Sequence, residues 1–94
     1  MRRSQWTIEA RQDLAAIDDY HIDLNPEHAT RVGRAAIATA RFLAERPEAG
    51  PALVDDVRKW SVQGTDYVLI YRRTKAAVQV LRVCRARQNW RPEE

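Results

Sequence analysis

The sequence predicts an α+β domain in which a two-helix hairpin packs on one face of a small sheet. Three observations carry that reading. Residues 57–84 hold three short apolar runs, rich in β-branched and aromatic side chains and separated by turn residues. Residues 10–46 hold two stretches with helical spacing of apolar side chains, split at Leu24-Asn25-Pro26-Glu27. Gln5–Glu9 alternates as an extended strand does. The order is therefore an N-terminal strand, a two-helix hairpin, then three antiparallel strands, all strands forming one small sheet.

Each element has its own warrant. Gln5-Trp6-Thr7-Ile8-Glu9 is expected to add a strand to the sheet. Ala10, Leu14, Ile17 and His21 fall at i, i+4, i+7 and i+11, one face of a first helix. Asp13, Asp18, Asp19 and Asp23 are assigned to a solvated flank, because their spacing does not converge on a cation. Asn25 is a good N-cap, Pro26 suits the first helical position and Glu27 favours the positive helix end. The second helix runs to about Arg46, burying Ala29, Val32, Ala36, Ile37, Ala40 and Leu43, with Arg31, Arg34, Arg41 and Arg46 outside, and Pro47 ends it. Pro47–Pro51 is a loop, and Ala52–Asp56 leads into the sheet. Strands follow at Arg58–Val62, Tyr67–Arg72 and Ala77–Cys84, with turns at Gln63–Asp66 and Arg73–Ala76. Tyr67–Arg72 is the most apolar and should be central. Leu14, Ile17, Val32, Ile37, Leu43, Trp60, Ile70 and Leu81 are expected to form one core between helices and sheet. Tyr67–Tyr71 is apolar at every position, which leaves two readings open: both faces of the sheet are covered, the second by a bound partner, or a few apolar side chains are simply exposed.

The 94 residues make one domain, 1–94, with a basic tail at 85–94 and no repeat or low-complexity segment. Cys84 is alone, which excludes an intramolecular disulfide and a cysteine-based zinc site, and His21 and His28 lie far from it in sequence; no metal or cofactor is expected. No run approaches ~18 apolar residues, and Met1-Arg2-Arg3-Ser4 is not followed by an apolar segment, so a cytoplasmic protein without membrane contact is expected. Charge divides the chain. Residues 57–94 carry nine Lys/Arg against three acids, a balance of +6, while residues 1–56 carry seven against ten, a balance of −3. The basic half points to an acidic partner or a nucleic acid.

Several stretches together resemble the RelE/ParE superfamily of toxins from type II toxin–antitoxin pairs. They are Ala10-x-x-Asp13-Leu14-x-x-Ile17-x-x-Tyr20, Pro47-x-x-Gly50, Val57-Arg58-x-Trp60-x-Val62, Tyr67-x-Leu69-Ile70-Tyr71-Arg72 and Val80-Leu81-Arg82-Val83. No piece is specific alone; their order and spacing are. The resemblance covers nearly the whole chain. It implies a cognate antitoxin, acidic or amphipathic and partly disordered when free, together with growth inhibition and plasmid stabilization.

Two branches of that superfamily differ in chemistry. The RelE-like branch cleaves messenger RNA on the ribosome, which needs a group to activate the ribose hydroxyl, a proton donor and cations for the phosphorane. Its third strand resembles Tyr67–Tyr71 but carries arginine where this chain has Val68. After the last strand this chain reads Cys84-Arg85-Ala86-Arg87-Gln88-Asn89-Trp90, with no His or Tyr. The ribonuclease candidates are Lys59, Arg82, Arg85 and Arg87; arginine clamps phosphate but hardly exchanges a proton, and Lys59 is a base only with its pKa lowered far. The ParE-like branch acts on DNA gyrase without a catalytic set, and Arg58-Lys59-Trp60-Ser61-Val62 and Tyr71-Arg72 look more like it. On that reading Arg82, Arg85, Arg87 and Trp90 bind the target, Arg58, Val68, Arg72 and Arg73 bind the antitoxin, and no catalytic residue is expected. Ribosome and mRNA are targets only in the ribonuclease alternative, and a non-enzymatic basic binding module is the second alternative.

Overall fold

The computed structural model describes residues 3–75 and 77–86. Its elements are β1 (Arg3–Trp6), α1 (Ile8–Ile22), α2 (Pro26–Glu45), β2 (Ala52–Val54), β3 (Val57–Ser61), β4 (Tyr67–Arg73) and β5 (Ala77–Arg85). They form one five-stranded sheet in the order β1-β5-β4-β3-β2. β1 runs parallel to β5, and every other neighbour is antiparallel. The α+β class and the central place of β4 agree with the sequence reading.

Two element assignments change. Ala52–Val54 is an edge strand on β3 rather than a lead-in, and Asp55 closes the hairpin with φ 49°, a left-handed backbone that aspartate tolerates. The first strand ends at Trp6, because Thr7 caps α1 instead of continuing the strand. The Thr7 hydroxyl accepts the Ala10 N–H at 3.0 Å and donates to the Leu81 carbonyl at 2.9 Å, while its own N–H bonds Val80 O at 3.0 Å. One side chain thus starts the helix and ties that start to β5. α2 begins as expected, with the Asn25 side chain accepting the His28 N–H at 3.1 Å and Pro26 in the first turn.

The core divides between the sheet's two faces. Alternation along β4 sends Tyr67, Leu69 and Tyr71 toward the helices, where they meet Ala10, Val32, Ala36, Ala40, Leu43, Val78, Val80 and Val83. Leu14, Ile17 and Trp60 pack against that cluster while partly buried, and Trp60 stacks on Phe42 at 5.6 Å. Val57, Val68, Ile70 and Cys84 form a separate cluster on the second face, with Leu81 against it. The expected single core is therefore corrected at three residues. Ile70 and Leu81 belong to the second face, and Ile37 is 44% exposed, while Thr39 on the same helix is buried. The Thr39 hydroxyl satisfies itself by donating to Ala35 O at 2.7 Å. The second-face side chains are already buried within the chain, so their apolarity does not by itself demand a partner. Burial, and secondarily Asp13, pushes the Cys84 thiol up, which suits a core side chain rather than a reactive one.

The loop after α2 is pinned by one buried hydroxyl. Tyr71 Oη donates to Pro47 O and accepts the Gly50 N–H, each at 3.0 Å. Arg58 Nη1 donates to Gly50 O at 2.7 Å. A Cβ on Gly50 would run into the Lys59 carbonyl oxygen and lie 2.8 Å from Tyr71 Oη, so only glycine lets the loop sit this close. Burial raises the Tyr71 pKa, partly opposed by the Gly50 N–H, so the phenol stays a donor. Tyr71→Phe is expected to cost about 1–3 kcal/mol by leaving two buried backbone groups unpaired. Leu43→Ala should cost ~2–5 kcal/mol, and Ile37→Ala well under either. Chemical denaturation of the three variants checks that order.

Candidate functional site

On the second face, register places residues in rows across β3, β4 and β5. One row is Val57, Arg72 and Gln79; the next is Lys59, Ile70 and Arg82; the third is Ser61, Val68 and Cys84. Lys59 is exposed, and Arg72 Nε donates to Gln79 Oε1 at 3.2 Å. This face is thus an apolar centre, Val68 and Ile70, flanked by cations. Among the described residues these rows hold no histidine, tyrosine or carboxylate that could exchange a proton. Val68 stands where the ribonuclease pattern has arginine, and it is buried. A cleft of about 490 Å³ beside β3 brings Lys59 and Val68 together with Trp60, Ser61 and Gln63.

The four residues expected to bind the antitoxin do not share a surface. Val68 and Arg72 lie on the second face. Arg58 pairs with Tyr71 on the helix side and is engaged by the Gly50 loop. Arg73, also on the helix side by alternation, meets Glu48 at 3.5 Å with both side chains exposed. Of the residues expected to contact the target, Arg82 and Arg85 are placed on β5, while Arg87 and Trp90 lie outside the described residues.

Arg82 has a partner that sequence alone did not suggest. Asp13 Oδ2 accepts Arg82 Nε at 2.7 Å and the Val83 N–H at 2.9 Å, and its Oδ1 accepts Arg82 Nη2 at 2.9 Å. The hydrogen bond to Asp13 raises the arginine's already high pKa. Asp13 therefore does not belong to the solvated acid flank. β1 pairs with β5 only as far as Val80, and Asp13 takes up the Val83 amide beyond that point. The signal was hidden because the partners are separated by 69 and 70 positions.

A second cluster escaped the sequence reading. A pocket of about 410 Å³ on the helix side is lined by His21, His28, Gly64, Thr65, Asp66, Tyr67 and Arg85. The break between α1 and α2 folds His21 and His28 edge to face, with ring centroids 4.7 Å apart. His21 Nε2 and Tyr67 Oη share a hydrogen bond at 3.0 Å, donated by whichever group carries the proton. The Arg85 guanidinium lies 5.3 Å from the Tyr20 ring and 5.6 Å from the Tyr67 ring. Burial, then His28, then Arg85 lower the His21 pKa. The sequence did put His21 on the buried face of the first helix, but not beside Tyr67.

A family described as ParE toxin of type II toxin-antitoxin system, parDE, matches residues 5–90. Among solved structures, a chain of the chromosomal ParDE TA system from P. aeruginosa is 28% identical, with 90% of this chain and 96% of that chain covered and a TM-score of 0.77. A chain of the E. coli DinJ-YafQ complex is 16% identical, with 90% and 93% covered and a TM-score of 0.59, a likeness of fold. No curated protein matches in sequence.

Asp13→Ala should cost about 1–3 kcal/mol, toward the low end because Arg82 is partly exposed. Arg82→Ala in the same background should add less than it costs alone, a coupling of at least about 0.5 kcal/mol in a double-mutant cycle. Strict additivity would show that the ion pair does not hold α1 to β5.

Proposed function

The chain belongs to the ParE toxin family of type II toxin–antitoxin systems, and from that premise we propose that it inhibits DNA gyrase in the cytoplasm by binding, without catalysing a reaction. It is the toxin of such a pair, and its partner is a cognate antitoxin. The observation that carries the proposal is the row Lys59, Ile70 and Arg82 at the centre of the second face. Cations around an apolar centre can grip an acidic surface or a phosphate backbone. Without a proton acceptor and a proton donor they cannot activate a ribose hydroxyl or protonate a leaving oxygen.

Target contact is assigned to Arg82, Arg85, Arg87 and Trp90. Arg82 is held in place by Asp13, so it offers its exposed portion in a fixed orientation rather than as a mobile side chain. Antitoxin contact is assigned to Val68 and Arg72 on the second face and to Arg73 on the helix side. Arg58 serves the loop after α2 first, and an antitoxin would reach it only at the surface. An acidic, partly disordered antitoxin segment suits this basic half of the chain and would order on binding. Plasmid stabilization by such a pair is part of the same proposal.

The test is a pair of assays on purified protein. The toxin should block gyrase supercoiling or trap gyrase-linked DNA breaks, and should leave ribosome-bound mRNA intact. Arg85→Ala and Arg87→Ala should weaken gyrase binding and toxicity together, by about 1–3 kcal/mol for each buried charged contact, and added salt should weaken both. Codon-dependent mRNA cleavage that disappears in Lys59→Ala, with ribosome binding retained, would overturn the proposal.

A further inference from the structure

The pocket between His21, His28, Tyr67 and Arg85 shares Arg85 with the proposed target contact, but its two histidines stand apart from the second face. It lies on the helix side of the sheet, where Tyr67 and Arg85 are cross-strand partners. Its volume of about 410 Å³ is of the size that holds a small ligand. We infer that it binds the phosphate group of a nucleotide, held by the two imidazoles and the Arg85 guanidinium, with the base against the Tyr20 ring.

Four features support this. The two imidazoles meet at 4.7 Å, and Arg85 closes the same pocket. Groups that carry like charge when protonated oppose one another at this range, and an anion between them reverses the sign of that interaction. Tyr67 Oη, 3.0 Å from His21 Nε2, fixes the orientation of that ring. Tyr20, 57% exposed, has its ring 4.9 Å from that of His21 with the Arg85 guanidinium over it, so a base would stack on the ring's remaining exposed surface beside the pocket. Among the described residues the charged and titratable groups around His21 are Tyr20, His28, Tyr67 and Arg85, with Asp66 lining the pocket from the turn before β4. Asp66 is the one acid among the described lining residues, and it opposes the anion against three basic side chains. Because burial, then His28 and Arg85, disfavour the charged form of His21, an anion that favours that form would bring a proton with it. Binding should therefore tighten as pH falls from about 8 to about 6.

The experiment follows the two histidine ring resonances of the full chain by NMR during titration with adenosine 5′-monophosphate. A short oligothymidylate, with and without a 5′-phosphate, provides the second arm. Both rings should shift and saturate with the mononucleotide, and His21→Gln and His28→Gln should each weaken binding about tenfold. Gln at 21 can keep the bond to Tyr67, and unchanged antitoxin binding shows that either variant is folded. Saturation by the mononucleotide alone identifies a free nucleotide as the source. Tighter binding of the phosphorylated oligonucleotide than of the unphosphorylated one identifies a strand end. Absence of any shift with either probe, binding that His28→Gln leaves unchanged, or affinity that does not rise as pH falls would overturn the inference, while leaving the gyrase proposal untouched.

Discussion

The Asp13 carboxylate is the constraint on which the arrangement of helices and sheet most depends. It joins the middle of α1 to the backbone and side chain of β5, across 69 and 70 positions of sequence. Thr7 makes the companion attachment six residues earlier, to the carbonyl of Leu81. Together they fix both the position and the rotation of α1 against β5. That rotation brings Ala10 into the core and sets His21, at the far end of the helix, beside Tyr67. A single flexible contact would leave α1 able to roll, and the histidine pocket would have no fixed shape.

The same geometry divides the labour between the two faces of the sheet. The helix side holds the larger core, and its polar atoms are spent on architecture: Tyr71 and Arg58 on the loop after α2, Asp13 on the β5 edge. The second face has a small buried cluster and a rim of cations in register. A face built this way favours contact with a charged partner and, among the described residues, supplies no acid–base pair, which is why the proposed action is binding. The self-contacts of Arg58 and Arg82, with those of Arg72, Arg73 and Arg85, also explain why a count of arginines overstates the basic surface.

Local chemistry was legible in the sequence; long-range pairing was not. Asn25-Pro26 marked the start of α2, and the all-apolar run from Tyr67 marked the central strand, because caps and burial leave local signatures. β2 was missed since Ala52–Val54 is short and exposed, with no alternation to detect. Ile70 was placed on the wrong face because the run Tyr67–Tyr71 is apolar at every position and shows no alternation, and Leu81 because it is the extra residue of β5 where the register shifts between Ile70 and Tyr71. Ile37 was assigned inward by hydrophobicity, although the stripe Ala36, Ala40 and Leu43 turns it outward. Asp13 looked like one of several acids on a helix, and nothing near it in sequence announces Arg82. His21 and His28 were visible as residues, but their meeting depends on the fold of the helix break and on Tyr67 arriving from a distant strand.

The central claim, that the toxin works by occupying its target, is tested most directly by stoichiometry. A fixed amount of gyrase is titrated with toxin below and above equivalence, and supercoiling is followed to completion. Inhibition that rises in proportion to toxin and levels off near equivalence, unchanged on longer incubation, is the result the account predicts. Complete inhibition by a small fraction of an equivalent, deepening with time, would contradict it and reveal turnover.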